Sequence, residues 1–494
     1  MTRLDREDHN ALMSVAPPTI VNFGQNVRFT PQKFYAPQTE SELLEVLNSH
    51  RDGQIRVVAS RHAWSDAIVS ADALIDMRHF RAVSLHEREV ATFATVGGGC
   101  QVKHLLAELN RVGLTTPSVG LITEQTIAGA ISTGTHGSGK HSLSHYIAAL
   151  RIACYGPDGR AMIREVTDGA ELRAARCGLG CLGVIAQVTF RCIPQYYVRE
   201  QAAPCDTIEE ALAGEAAAPL QQFFLIPHLW KYFAQRRVVA EQNRASFSAS
   251  LYRWYWFLNI DLGLHLFIKL FASVLRSPRL VRLLFCRVLP AFIFPRWVVI
   301  DRSDKMLVME HELFRHLEME LFVPASQVVA AARFVEEVLQ ITAGYRAEPS
   351  TETEEQLRSL GRLDSLRSLH GTYTHHYAVC FRRVLADDTL ISMSSGDDPW
   401  WYAISFITYV QPREPFFELA RFLAISTAKL FRARPHWGKW FPLGGDEVER
   451  MYPALPEFRE ICTRFDPRGV FRNAYVTEAL RLPAAIKDQA VSGR

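Results

Sequence analysis

Several things are missing from this 494-residue sequence, and each absence closes off a class of function. No stretch offers the roughly twenty uninterrupted apolar residues that a helix needs to cross a bilayer core. Charge of one sign is scarce. Lys and Arg total 55 against 52 Asp and Glu, a net of +3 with no long basic run, which excludes an extended nucleic-acid interface. The nine cysteines form no CxxC pair, and no histidines accompany them at zinc-finger spacing. Neither a disulfide framework nor a metal site is expected, and the thiols read as reduced in a cytoplasm. The opening residues, MTRLDREDHN, lack the apolar core of a secretory signal.

What is present is a globular composition, 48% hydrophobic and 22% charged, on a chain long enough for two or three domains. After Pro17 and Pro18 the pattern is mixed. Thr39 and Glu42 have capping-box spacing ahead of the apolar stripe Leu43, Leu44 and Leu47. Gln54–Ala59 and Val90–Val96 read as strands, and Gln101–Val112 as a helix stopped by Gly113. Ile147–Tyr155 and Arg160–Val166 flank the turn Gly156-Pro157-Asp158-Gly159, and Gly183–Arg191 is a further strand. This succession predicts an α+β unit over 17–197.

A second region follows. Its apolar stretch Leu251–Ile300 is interrupted by Asp261, His265 and Lys269, then by Arg287 and Pro290. With Lys269, Arg276, Arg279, Arg282 and Arg287 it forms a basic, apolar helix pair, and two readings stay open: the buried cap of a large enzyme, or an interfacial anchor. Arg346–Gln356 reads as an exposed loop, Tyr377–Arg383 and Tyr402–Val410 as strands, and Glu320 as a solvated sheet residue.

Gly129–Gly139, GAISTGTHGSG, matches neither the Rossmann GxGxxG nor the P-loop pattern. Taken alone it is either a tight turn or a backbone cradle for an anion. His62, in ASRHAWSD, taken alone is a surface histidine at a strand end. Together with FYAPQTESELLEVL, TTPSVGLITEQTIAGAISTGTHGSGKHS and GLGCLGVIAQVTFRC, these segments resemble the flavin domain of the vanillyl-alcohol oxidase/p-cresol methylhydroxylase superfamily. HHYAVCFRR (His375–Arg383), Pro435-His436-Trp437-Gly438-Lys439 and FDPRGVFRNAY (Phe465–Tyr475) resemble the sugar-1,4-lactone oxidases, the group of L-gulono-1,4-lactone and D-arabinono-1,4-lactone oxidases and alditol oxidase.

The resemblance implies a two-domain α+β flavoprotein. Residues 17–197 would hold FAD, 198–430 would cap a substrate pocket with 251–300 as a helical insertion, and 431–480 would return to the flavin, with tails at 1–16 and 481–494. It implies FAD contacts at Ser60, Arg61, His62, Ala63, Thr126, Gly129, Thr133, Gly134, Thr135, His136, Val184 and Ile185, with covalent attachment through His62. Lys439, Arg382 and His436 carry the implied catalysis, and Lys439, Arg382, Cys380 and Leu121 would face the substrate. Hydride passes from a CH–OH carbon to flavin N5, and a cation near the ring favours the charge that develops there.

The chain departs from the family pattern. Ala59 and Arg61 stand where glycines are usual, and Arg61 would be strained in a left-handed backbone conformation. Cys380 replaces the glutamate of an E-x-R motif and Leu121 replaces a serine, which bears on substrate more than on flavin chemistry. The expected reaction is oxidation of an aldonolactone, with O2 giving H2O2. The alternatives are an alditol or other alcohol with another electron acceptor, or a non-catalytic flavin protein at a membrane. The expected location is cytoplasmic, with 251–300 as a candidate contact with the inner face of a membrane.

Overall fold

A computed structural model describes residues 14–15, 17–88, 91–309, 313–483 and 485, so most of both expected tails lies outside the described residues. The first 190 or so residues build two main sheets, besides short two-stranded pairings. One is four-stranded, with Ala73–Asp76 paired in parallel to Lys33–Tyr35 and to β1 (Ile55–Val58). The other is antiparallel and five-stranded, with Val184–Arg191 at its centre between Ile147–Tyr155 and Ala91–Gly97. The capping residues behave as the sequence predicts: Thr39 accepts from the Glu42 N–H, and Glu40–Ser49 buries Leu43, Val46 and Leu47.

The rest of the chain is organised by one eight-stranded antiparallel sheet. Along it lie β2 (Tyr197–Cys205), β3 (Gln222–Ile226), β4 (Lys231–Val239), β5 (His316–Pro324), β6 (Val379–Leu385) and β7 (Trp400–Tyr409). Their spatial order is Val298–Arg302, β2, β4, β3, β6, β7, β5, Arg434–Pro435. Side chains alternate across it. Phe223, Phe381 and Ile404 share a core with the helices Val328–Thr342 and Glu414–Phe431, and Phe223 and Phe381 stack with centroids 4.9 Å apart. The other face, carrying Glu320, Ser405, Cys380 and Phe224 in one register, looks onto a cavity.

Above that cavity runs α1 (Ala249–Val274), followed by a second helical arm over 278–291. α1 alternates α turns with π turns at Phe257–Leu264 and Lys269–Val274. The π turns unwind it, so rows of residues four apart run nearly straight along its length. Tyr252, Trp256, Ile260 and Leu264 face the cavity, Ile268 is buried, and Trp254, Leu258, Leu266, Leu270 and Val274 are exposed.

One expectation fails locally. Arg346–Gln356 is not a loop throughout, because a helix begins at Thr351 and runs to Ser359. Its start is held by a tertiary contact invisible in local pattern: Glu337 of the neighbouring helix accepts from the Ser350 N–H and from the Ser350 (2.9 Å) and Thr353 hydroxyls.

The turn after β1 is tied down on three sides. The Arg61 carbonyl accepts from Phe23 N–H (2.9 Å), the Ser60 hydroxyl from Thr126 N–H (3.2 Å), and the Gly438 carbonyl from Trp64 N–H (2.9 Å). Within it Arg61 adopts φ +61°, the left-handed region that favours glycine. Arg61→Gly should therefore leave the chemical-denaturation midpoint unchanged or raised. Arg61→Val, β-branched in the same conformation, should cost about 1–2 kcal/mol.

Candidate active site

A cavity of about 730 Å³ lies between the FAD-domain loops and the eight-stranded sheet, and all but two of the predicted site residues line it. Ser60, Arg61, His62, Ala63, Thr126, Gly129, Thr133, Thr135, His136 and Ile185 form one end, and Leu121, Cys380, Arg382, His436 and Lys439 lie toward the sheet. The exceptions are Gly134 and Val184. Gly134 turns away with φ +74°, and a Cβ there would meet Met393 Cε at 2.8 Å. Val184 is fully buried in the core behind the cavity, because neighbouring positions on a strand point to opposite faces and Ile185 takes the cavity side.

The loop end is narrow and lined by backbone and small side chains. A Cβ on Gly98 would sit 2.1 Å from the Ile185 carbonyl, and one on Gly120 2.5 Å from Thr135 Cγ2. Arg56 is buried at its base, donating to the carbonyls of Ala67, Leu179 (2.7 Å) and Phe471. A cleft of small residues with a cation beneath it suits an elongated anionic dinucleotide, so the residues present fit FAD. His62 stacks on Phe23, centroids 5.1 Å apart, and its Nδ1 lies 3.0 Å from the Ser60 carbonyl, which that nitrogen's proton can donate to.

At the sheet end the decisive residues are two glutamates on β5. Glu320, expected to be solvated, is 1% exposed. The correction has a simple cause: Met319 and Leu321 take the helix-packed face, which turns Glu318 and Glu320 inward over the cavity. Glu320 accepts from the Ser405 hydroxyl at 2.6 Å. Around it stand His136 Nε2 at 3.4 Å, Arg382 Nη1 at 3.9 Å and His436 Nε2 at 4.0 Å. Glu318 accepts from the Lys439 ammonium, which also lies 4.3 Å from the centre of the Trp64 ring. Burial works to raise both carboxyls, yet nearby cations and donors outweigh it. Glu318 is held down to about 2 by Lys439 and His316, and Glu320 well below its ordinary range by His136, His436 and Lys439.

Hydrogen bonding assigns the histidine protons. His436 Nδ1 accepts from Gly438 N–H at 2.9 Å, so Nε2 carries the proton and points it toward Glu320. Burial lowers His436 to about 3, keeping it neutral. His136 Nδ1 faces the Gly137 carbonyl at 3.0 Å and donates to it, which turns Nε2 toward the Glu320 carboxylate at 3.4 Å. Ligand atoms of His136, Glu320 and His436 lie within 4.8 Å of one another, close enough to hold a metal ion, although the attraction of two imidazole rings to a buried carboxylate already accounts for the grouping.

Cys380 sits beside Ser405 in the sheet register, and Ser405 beside Glu320. A carboxylate is thus present two strands from the position where the E-x-R pattern would place one. Burial pushes the Cys380 thiol up to about 11, so it is neutral. Arg382 donates to Gln222 Oε1 at 3.1 Å, and a chain of buried polar groups continues through Gln235, Arg237 and Glu200 to the Tyr252 hydroxyl, each bonded to the next.

Comparison with known proteins agrees with this layout. A family model for D-arabinono-1,4-lactone oxidase matches residues 188–479, and one for an FAD-binding domain matches residues 31–162. A long-chain alcohol oxidase from an uncultured marine euryarchaeote is 46% identical over 470 residues, covering 94% of this chain and 98% of its own. L-gulonolactone oxidase from Mus musculus is 28% identical over 464 residues, covering 92% and 96%. Among solved structures, cholesterol oxidase from Brevibacterium sterolicum shares the fold, with a TM-score of 0.73 at 14% identity and coverage of 95% and 98%. With the cofactor cleft, the charged sheet face and these matches in agreement, the chain belongs to the D-arabinono-1,4-lactone oxidase family and is an FAD-dependent oxidoreductase acting on CH–OH groups.

Proposed function

We propose that this enzyme oxidises long-chain primary alcohols to aldehydes, with O2 as acceptor: RCH2OH + O2 → RCHO + H2O2. The observation that carries the reading is the wall beyond Cys380. Phe224, Ile226, Phe233, Ile407, Leu264 and Trp256 line it, and the polar groups among them are engaged with one another. Each buried CH2 gains about 0.8 kcal/mol there. A sugar hydroxyl left without a partner costs about 1–3 kcal/mol. The similarity to a long-chain alcohol oxidase supports the same choice. Family membership and the gulonolactone oxidase relatives favour a second reading, an aldonolactone bound along Gln222 and Gln235. A long-chain alcohol partitions into lipid, so the first reading includes peripheral membrane association through 251–300.

Bound FAD supplies the hydride acceptor, and O2 restores it. The loops at 59–63, 126–136 and 183–185 would hold FAD, with His62 attached to it. Glu320, ionised and bonded to Ser405, accepts the hydroxyl proton as the hydride leaves and that proton becomes strongly acidic. The neutral His436, with Nε2 4.0 Å away, closes the pocket around Glu320. Lys439 and Arg382 place positive charge where negative charge develops during hydride departure.

A panel of n-alkanols, xylitol and gulono-1,4-lactone, read by H2O2 release, decides between the substrates: kcat/KM should rise with alkanol chain length and stay low for the lactone. Cys380→Glu should lower the rate with the long alkanols, and a lactone-first ranking in the wild type would reverse the assignment. Glu320→Gln should slow anaerobic bleaching of the flavin spectrum about 100-fold with little change in KM, the size expected for a lost general base. His62→Ala should release the yellow colour on acid precipitation, while the wild-type colour stays with the pellet.

A further inference from the structure

Four large apolar side chains both line the cavity and stand open to solvent: Trp254, Phe292, Phe294 and Leu313. They mark a mouth, with three of the four in the helical insertion and Leu313 beyond it. Around it the outer row of α1 continues the apolar surface, with Leu251 (65% exposed), Leu258 (52%), Phe267 (45%), Leu270 (42%) and Val274 (63%). The spacing puts them on one side of the helix, opposite the cavity-facing row.

The charge around this surface is one-sided. Residues 251–300 contain seven Lys and Arg and a single acidic residue, Asp261, although the whole chain is nearly balanced. Lys269, Arg276, Arg279, Arg287 and Arg296 are exposed. Asp261 lines the cavity instead of joining the exposed surface. A broad apolar face bordered by cations, with no exposed anion within 249–297 itself, matches the interface of an anionic bilayer, acyl chains against the apolar row and headgroups against the basic side chains. A span is a poorer account of the same helix. α1 is long and apolar enough to cross a membrane, but its inner row closes a cavity that contains buried Glu200, Glu318 and Glu320 and could not face lipid without uncovering them.

We infer that the outer face of 249–297 lies flat on an anionic lipid surface, with the cavity mouth opening into the acyl layer, so that a long-chain alcohol passes from lipid to the site without crossing water. The lipid-to-site route rests on the alcohol reading, whereas the docking surface does not.

The test uses the purified holoenzyme, vesicles of phosphatidylglycerol or phosphatidylcholine, and two alcohols: n-hexadecanol carried in the vesicles and n-butanol in solution. Wild type should float with phosphatidylglycerol vesicles and stay behind with phosphatidylcholine. The double variant Leu258→Asp/Phe267→Asp and the double variant Arg279→Glu/Arg287→Glu, all at exposed positions outside the site, should each lose at least about tenfold in vesicle affinity. Both should lose a similar factor in hexadecanol oxidation and keep the wild-type rate on n-butanol. Wild type that fails to float, or variants that float like wild type, would overturn the docking surface. Variants that detach yet oxidise vesicle-borne hexadecanol at full rate would overturn the route from lipid. Flotation with neither alcohol oxidised would sink the alcohol reading and leave the surface supported.

Discussion

Two carboxylates two residues apart on one strand, both withdrawn from water, set the terms for the rest of the site. A buried charge costs several kcal/mol unless it is paired and hydrogen-bonded. Glu318 and Glu320 meet that requirement only by drawing partners from every part of the chain: His136 from the FAD-domain loop, Ser405 and Arg382 from neighbouring strands, His436 and Lys439 from the C-terminal return. The three segments are held in contact at one point of the cavity wall, so on the proposed mechanism the same interactions serve packing and chemistry. Backbone ties reinforce the junction. His436 N–H and Trp440 N–H donate to the carbonyls of Glu320 and Glu318, at 2.9 and 3.0 Å.

The network also explains how the motif tolerates cysteine at 380. The sheet places a carboxylate near Arg382 from β5 through Ser405. Cys380 is a small neutral wall residue, and the lining beyond it combines apolar side chains with the mutually bonded polar groups Gln222, Gln235, Arg237 and Glu200. On the alcohol reading, the change at one motif position and the apolar lining beyond it go together.

Much of the architecture is legible in the residues. The capped helix after Thr39, the strands around the Gly156–Gly159 turn and the two strands at 379–385 and 400–409 come from local signals of capping, alternation and turn chemistry. The helix from Thr351 carries a local cap, Ser350 accepting from the Thr353 N–H, but the contact that anchors this start comes from Glu337 on another helix. Arg61 signalled its own difficulty, a long side chain at a glycine position, and the structure shows the strained conformation retained by bonds that Phe23 and Thr126 donate to the turn and by one that Trp64 donates from its flank to Gly438.

The fold class, the FAD cofactor and the meeting of HWGK with Arg382 at one cavity were legible in the residues alone, because they follow from short motifs with fixed local geometry. The fate of Glu318 and Glu320, the proton position on His436 and the side of 249–274 that meets solvent emerge only once the chain is folded. Those properties belong to no segment. A strand residue two positions along points the same way, but whether that way is water or cavity depends on what the opposite end of the chain brings to cover it.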